Sequence, residues 1–343
     1  MEIDLGDYRV REYRPGDEDS ILPAFNRVFA AIDPTFVPRT MDEWHWRTLQ
    51  NPAGLRMFVG VTAADEVVVH YAGLPIRMVQ NGERVHWNQI VDSFADPRAG
   101  RGLKKPGLFV TCSQTYGHHY GGLQPKDRVM YGLPVRRAYR VGQKMLAYHT
   151  VREQLVLELE VERSDVGRVS AHSLAGSVRI EEVQRFSDEV DTLFERARLP
   201  HDAIAVRDRA YLDWRFATRP RQIYRMALAR DVHGRLVGYA VVNAGSFDLR
   251  AGAIVADWLV DPSQPAAGHA LRGWLLDFAR AQACDRVLMM LPDTCLDFMA
   301  FQDAGYRARE TSYITVAGLF RRSFSTLPLY RGWYYTQADF DLI

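Results

Sequence analysis

Apolar and polar positions along the chain follow an order that is written twice. Tyr8-Arg9-Val10-Arg11-Glu12 alternates as a strand does, and after the acidic start Asp17-Glu18-Asp19 the residues Ile21, Leu22, Phe25 and Val28 recur at helical spacing. Val178-Arg179-Ile180-Glu181-Glu182, then Asp188-Glu189, then Val190, Leu193 and Phe194 predict the same strand and amphipathic helix again. Trp46-Arg47 stands three residues before Asn51-Pro52, and Trp214-Arg215 stands three residues before Arg219-Pro220. Each motif is followed by a predicted hairpin, turning at Ala64-Asp65 in the first copy and at His233-Gly234 in the second. Each hairpin feeds an apolar strand with one ending, Val91-Asp92-Ser93-Phe94-Ala95-Asp96-Pro97 and Ala256-Asp257-Trp258-Leu259-Val260-Asp261-Pro262. A helical stretch, a strand, a Leu-Pro step and a short helix closing at a glycine (Gly142; Gly305) complete both copies.

Five coincidences in one order define a repeat, and a repeat determines the domain reading. The unit is α+β with a mixed sheet. One domain is expected at 1–150, a crossover strand and linker at 151–177, a second domain at 178–318, and a tail at 319–343. The run Leu155-Val156-Leu157-Glu158-Leu159-Glu160-Val161 predicts a strand with one charged face.

Composition narrows the function. The 343 residues are 47% hydrophobic and 25% charged, enough apolar mass for two cores, and 43 Lys+Arg against 42 Asp+Glu leave a formal charge of +1. No overall field gathers nucleic acid or anionic lipid, so neither is an expected partner, and any anion site is local. No apolar run approaches the roughly 20 residues of a membrane span. The start Met1-Glu2-Ile3-Asp4 lacks a basic then apolar leader, and Cys112, Cys284 and Cys295 form neither a ligand pair nor an even framework, so the expected setting is reduced and cytoplasmic. His118-His119 has no carboxylate or thiol at ligand spacing, and no metal is expected. Trp44, Trp46 and Trp214 are expected as core anchors, and Cys112 as a buried small hydrophobe.

The segment Asp96-Pro97-Arg98-Ala99-Gly100-Arg101-Gly102-Leu103-Lys104-Lys105-Pro106-Gly107 follows a predicted strand and precedes a predicted helix. Glycines at such a turn let backbone N–H groups converge, and the helix N-terminus adds positive potential, which together suit a pyrophosphate. The same residues also suit a solvated basic loop. With the order of elements around it, this segment resembles the loop of the GCN5-related N-acetyltransferase (GNAT) family, and the duplicated unit is similar to tandem-GNAT proteins. The resemblance implies an acetyl-CoA-dependent N-acetyltransferase acting on a small-molecule amine without a metal. Arg98, Gly100, Arg101, Gly102, Leu103 and Lys104 would bind the cofactor, together with Ser93 and Phe94 on the strand beside the thioester.

The second copy has two prolines, one glycine and no Arg or Lys in the corresponding run from Asp261 to Ala270, so phosphate binding is not expected there. The resemblance also implies a tyrosine on the short helix after the fifth strand that protonates the departing thiolate: Tyr139, three residues before Gly142, is that candidate, with a helix-surface aromatic as the other reading, and Tyr116 and Tyr131 are back-ups read first as packing residues. Phe301 at the corresponding place before Gly305 cannot donate a proton. The first copy is therefore expected to perform the chemistry. Asp92 is the candidate base, although Asp257 at the same place in the second copy is equally consistent with a structural hydrogen bond in both, and water could replace it. The resemblance to tandem-GNAT enzymes, some of which send the C-terminus back toward the active cleft, makes Asp339 and Asp341 of the tail candidates for attracting a cationic acceptor; a mobile tail is the equally open reading. Two other readings stay open: a FemABX-like aminoacyl transferase, against which the near-neutral charge weighs, and a non-catalytic acyl-CoA-binding protein.

Overall fold

The computed structural model describes residues 2–32, 36–97, 107–121, 126–134, 136–162, 178–221, 223–318 and 325–340. The chain forms two compact units: unit 1 comprises Met1–Arg77, Val85–Thr150 and Thr315–Ser325, and unit 2 comprises Met78–Arg84, Val151–Ile314 and Thr326–Ile343. These limits differ from the sequence repeats in a specific way. The last strand of each repeat divides, so that each unit is completed by a short segment from the other half of the chain.

In unit 1, β1 (Glu2–Asp4), β2 (Tyr8–Glu12), β3 (Arg56–Thr62), β4 (Val67–Gln80), β5 (Glu83–Ala95) and β6 (Val129–Gly132) lie side by side in that order. The end of β14 (Arg307–Gly318) adds a last strand through Val316↔Gly132, Ala317↔Tyr131 and Gly318↔Met130. Period-two alternation sorts β3 between two layers. Met57, Val59 and Val61 face α1 (Glu18–Ala30) and α2 (Met41–Thr48) with Ile21, Leu22 and Trp44, whereas Phe58 faces α3 (Leu108–Gly121) with Cys112, Tyr116 and Tyr120. The Thr40 hydroxyl and the Glu43 carboxylate cap the start of α2 reciprocally. His118 and His119 lie in the last turn of α3, where His119 meets Glu12 at 3.0 Å.

Unit 2 orders its strands as β7 (Tyr148–Glu160, from Val151 onward), β13 (Arg286–Met289), β12 (Arg250–Val260), β11 (Leu236–Phe247), β10 (Arg225–Asp231) and β8 (Val178–Val183). The alternation predicted for 155–161 is real: Leu157 and Leu159 are buried on one face, while Glu158 ion-pairs with Arg250 and Arg286, at 2.9 Å each. Helix α5 (Glu189–Ala197) packs on β11 and β12, and α7 (Pro265–Ala281) packs on β8 and β10 to β13. Between α5 and β10 run β9 (Ala203–Ala205) and α6 (Arg209–Leu212), the latter continuing as a π-turn over Asp213–Ala217. Helix α8 (Leu296–Asp303) precedes β14, and the tail forms α9 (Leu327–Gly332), β15 (Trp333–Tyr334) and a 3₁₀ turn at Gln337–Asp339. Strand β15 pairs with β9. No described helix is long and apolar enough to cross a membrane.

Two glycines set opposite expectations. A Cβ on Gly73 would collide with Asn88 Oδ1 and the Tyr116 hydroxyl, a buried network in which Asn88 Nδ2 donates to Tyr116 Oη (2.6 Å) and to Asp127 (2.9 Å). Gly73→Ala is expected to cost about 1–3 kcal/mol in chemical unfolding. Gly273, within α7 with nothing near its missing Cβ, should give a gain of about 0.5–1 kcal/mol as Gly273→Ala.

Candidate functional site

Both units carry the same interactions at corresponding places. The last turn of the first helix supplies an arginine to the Asp-Pro step: Arg27 pairs with Asp96, and Arg196 with Asp261 at 2.7 Å. The aspartate N–H is held by the neighbouring strand, Asp96 to the Val68 carbonyl (2.8 Å) and Asp261 to that of Val237 (2.9 Å). Four residues upstream of each Asp-Pro step, the strand aspartate meets an arginine standing immediately before the N-cap of the second helix. Arg39 precedes the Thr40 cap and reaches Asp92 at 2.6 Å; Arg207 precedes the Asp208 cap and reaches Asp257 at 3.1 Å. Arg39 and Arg207 each lie eight positions before Arg47 and Arg215 of the Trp-Arg pairs.

At this level both strands are irregular. Asp92 has φ 52, a left-handed conformation that is uncommon for a non-glycine residue inside a strand. In β12 the register to β11 shifts, with Val241 opposite Asp257 and Val242 opposite Val255, leaving Ala256 as an extra residue. Parallel pairing also ends just before the irregularity. Strands β5 and β6 pair at Trp87↔Val129, Asn88↔Met130 and Gln89↔Tyr131, and β12 and β13 pair at Ala253↔Val287, Ile254↔Leu288 and Val255↔Met289. Beyond these points the strands part.

In unit 1 a cavity of about 250 Å³ lies beside the parting, lined by Ile90, Tyr131 and Gly132 from the strands and by Tyr71, Tyr116 and Tyr148. The Tyr71 and Tyr148 hydroxyls are 3.3 Å apart, and burial raises both phenols above their usual range, so both remain protonated donors. Gly142 makes room for this arrangement, because a Cβ there would strike the Tyr148 ring. Helix α4 (Arg136–Met145) directs Tyr139 elsewhere: its hydroxyl bonds with Thr150 Oγ1 (2.7 Å) and accepts from Gln143 Nε2 (2.6 Å). Tyr139 is thus turned away from the cavity, which Tyr71, Tyr116, Tyr131 and Tyr148 line.

Asp92 is corrected as a base. Burial works to raise its pKa, but the charges of Arg39 and Arg47 outweigh burial and hold the carboxyl well below the usual carboxylate range. A carboxylate so stabilised has little appetite for a proton. Its carbonyl accepts from His70 Nδ1 at 2.7 Å, which fixes the hydrogen on that nitrogen, and burial keeps the imidazole neutral. Ser93 is half-buried and donates to the Val91 carbonyl, and Phe94 packs on His70 and Phe25. Arg98, Gly100, Arg101, Gly102, Leu103 and Lys104 lie outside the described residues, as does Asp341.

Unit 2 puts its own tail where the strands part. Tyr334 donates to the Trp258 carbonyl (2.7 Å), Thr336 to Asp257 (2.7 Å), and Arg215 to the carbonyls of Ala338 and Phe340. Asp339 is buried and bound to Arg207 at 2.5 Å, so its expected role in attracting an amine is also corrected. The loop entering the helix is short here: Asp261 is four residues before α7, against twelve from Asp96 to α3, and Ser263 closes it onto Asp261. Trp44, Trp46, Trp214 and Cys112 are buried, and no group of three or more potential metal ligands occurs among the described residues.

Solved structures with this architecture include a conserved protein from Enterococcus faecalis V583 described as a probable N-acyltransferase (TM-score 0.65, 13% identity, 91% of this chain and 72% of that one). A GCN5-related N-acetyltransferase from Anabaena variabilis ATCC 29413 is similar at TM-score 0.64 and 13% identity, over 92% of this chain and 73% of that one. Saccharomyces cerevisiae N-myristoyltransferase with bound myristoyl-CoA is similar at TM-score 0.56 and 10% identity, over 92% and 83%. No family model matches the sequence, and no curated protein matches it. At these identities the likeness is one of fold, and the fold is that of the GCN5-related acyltransferases.

Asp92→Asn would leave Arg39 and Arg47 without their countercharge and is expected to cost about 3 kcal/mol of stability. The depressed folded-state pKa makes the contribution of Asp92 full above the ordinary aspartate value of about 3.9 and progressively lost as pH falls below it. The variant should therefore show a shallower acid limb in unfolding measured against pH. A parent-like acid limb at parent-like stability would refute the clamp.

Proposed function

We propose that the protein is an acyl-CoA-dependent N-acyltransferase whose working site lies in unit 1, with acetyl-CoA as donor and the amine of a small molecule as acceptor. The observation that carries this reading is the parting of β5 and β6 beside the tyrosine-lined cavity. Unpaired strand edges at such a parting can pair with an extended amide-containing arm, and the cavity can take what that arm carries. The long basic loop from Arg98 to Lys105 then stands between β5 and α3, where Arg98, Gly100, Arg101, Gly102, Leu103 and Lys104 would hold the diphosphate. Unit 2 has a short, proline-containing loop and a filled parting, which favours unit 1 as the site of reaction.

In the reaction, an uncharged amine attacks the thioester carbonyl. The carbon–nitrogen bond forms, the carbon–sulfur bond breaks, the thiolate takes a proton from the Tyr71–Tyr148 pair, and the nitrogen releases its extra proton to water, from which the tyrosine pair is reprotonated. Tyr148→Phe is expected to lower kcat by about 10²-fold, whereas Tyr139→Phe should leave it within about twofold. Replacing Gly100 and Gly102 with tryptophan should abolish coenzyme A binding in calorimetry at unchanged thermal stability. Undiminished affinity in that double variant would reject unit 1 as the cofactor site.

A further inference from the structure

We infer that unit 2 holds a ligand site of its own: a cavity of about 310 Å³ between the N-termini of α7 and α8 binds a compact oxyanion, a carboxylate or phosphate monoester on an apolar body, through Arg272. Arg272 lies in the second turn of α7, is 8% exposed, and lines this cavity. Among the described residues its guanidinium makes no hydrogen bond or ion pair, and its Nε is buried without a partner. The other buried arginines of unit 2 are all engaged: Arg207 by Asp257, Asp339, Thr336 and the Ala205 carbonyl, Arg215 by two tail carbonyls, and Arg152 by Asp293 and the Tyr330 carbonyl. A buried cation with no counterpart is costly, and an oxyanion accepted from the cavity removes that cost.

The surroundings favour negative charge. The cap residues of both helices, Gln264 and Cys295, make no side-chain cap bond, and both helix starts border the cavity. Guanidinium Nη1 points back toward Gly268 in the first turn of α7, where a Cβ would come within 3.4 Å of it. Phe301 lies beneath the guanidinium at 5.5 Å, and Pro265, Leu296 and Ala300 supply apolar wall. Asp261 and Asp297 also line the cavity: Asp261 is ion-paired with Arg196 at 2.7 Å, and Asp297, whose pKa burial pushes upward, accepts from Trp258 Nε1 at 3.3 Å, and neither forms an ion pair with Arg272. Coenzyme A does not fit this description, since Pro262 and Pro265 offer no N–H at the helix entrance and Tyr334 already occupies the Trp258 carbonyl.

The test uses the full chain, with glycerol phosphate and butyrate as separate probes in thermal-shift and calorimetric titrations. Either probe should raise Tm, and the one that does identifies the headgroup. Arg272→Met should weaken that binding at least about tenfold and, in anion-free buffer, should melt at or above the parent. Ala300→Met fills the cavity with Arg272 in place and should abolish the shift as well, so the inference stands or falls even if the arginine variant folds poorly. Coenzyme A affinity should be unchanged in both variants, which separates this site from the proposed one in unit 1. Absence of any shift in the parent, equal binding by the variants, a lowered Tm of Arg272→Met in anion-free buffer, or loss of coenzyme A binding in either variant would overturn the inference.

Discussion

The arginine–aspartate pair at the strand irregularity is the constraint on which each unit depends. Asp92 sits in a left-handed backbone conformation inside β5, and Asp257 borders the extra residue of β12. Neither geometry is what a strand adopts unaided. Each aspartate is held by an arginine fixed at the mouth of a capped helix, so the side-chain pair sets the distance between that helix and the strand. Such a pair adds little net stability, because the desolvation of two charges nearly offsets their attraction. What it adds is geometry: once a bulge turns the strand, the next strand can no longer follow it, and pairing ends after three residue pairs in each unit.

A parting of this kind exposes backbone donors and acceptors that need partners. The two units meet that need differently. In unit 2 the tail answers it, with the Tyr334 hydroxyl on the Trp258 carbonyl and Thr336 on Asp257. The repeated Trp-Arg step changes role accordingly: Arg215 donates to tail carbonyls, whereas Arg47 adds its charge to Asp92. In unit 1 the parting faces a cavity bordered by protonated phenols. One framework thus yields a strand edge covered by the tail and a strand edge that borders a cavity, and the difference lies in what reaches the edge rather than in the strands.

Much of this was written in local pattern. The order of elements followed from periodicity, and the recurring Asp-Pro steps correspond to a repeated arginine pair, Arg27–Asp96 and Arg196–Asp261. The partners of Asp92 and Asp257 were less legible, although the signal existed: Arg39 and Arg207 stand at one spacing from Trp-Arg and immediately before a capping residue. The family resemblance points to Tyr139 on its short helix, but one step along a helix turns a side chain by about 100°, and its hydroxyl meets Thr150 instead. Tyr148 reaches the cavity because Gly142 lacks a side chain, a pairwise relation that no single position announces. The division of the last strands between units was hidden for a different reason. Periodicity reports that a stretch is a strand, not which neighbour it will pair with.

The charges of unit 2 carry the argument one step further. Arg207 and Asp257 are both fully buried, yet each is surrounded by bonds from several elements, so the cluster locks the tail to the strand. That lock reinforces the closure already made by Tyr334, and both draw on residues that stand where unit 1 keeps Arg39 and Asp92. Closure of the strand edge in unit 2 therefore need not have required loss of the scaffold: a tail able to satisfy an existing arginine, an existing aspartate and an open strand edge at once would be retained by the bonds it makes. Arg272 falls outside this logic. The tail reaches the wall of its cavity through Trp333 and Tyr334 but, among the described residues, supplies no acceptor to Arg272, so the sealing of the strand edge and the charge at the helix start are separate features of the unit.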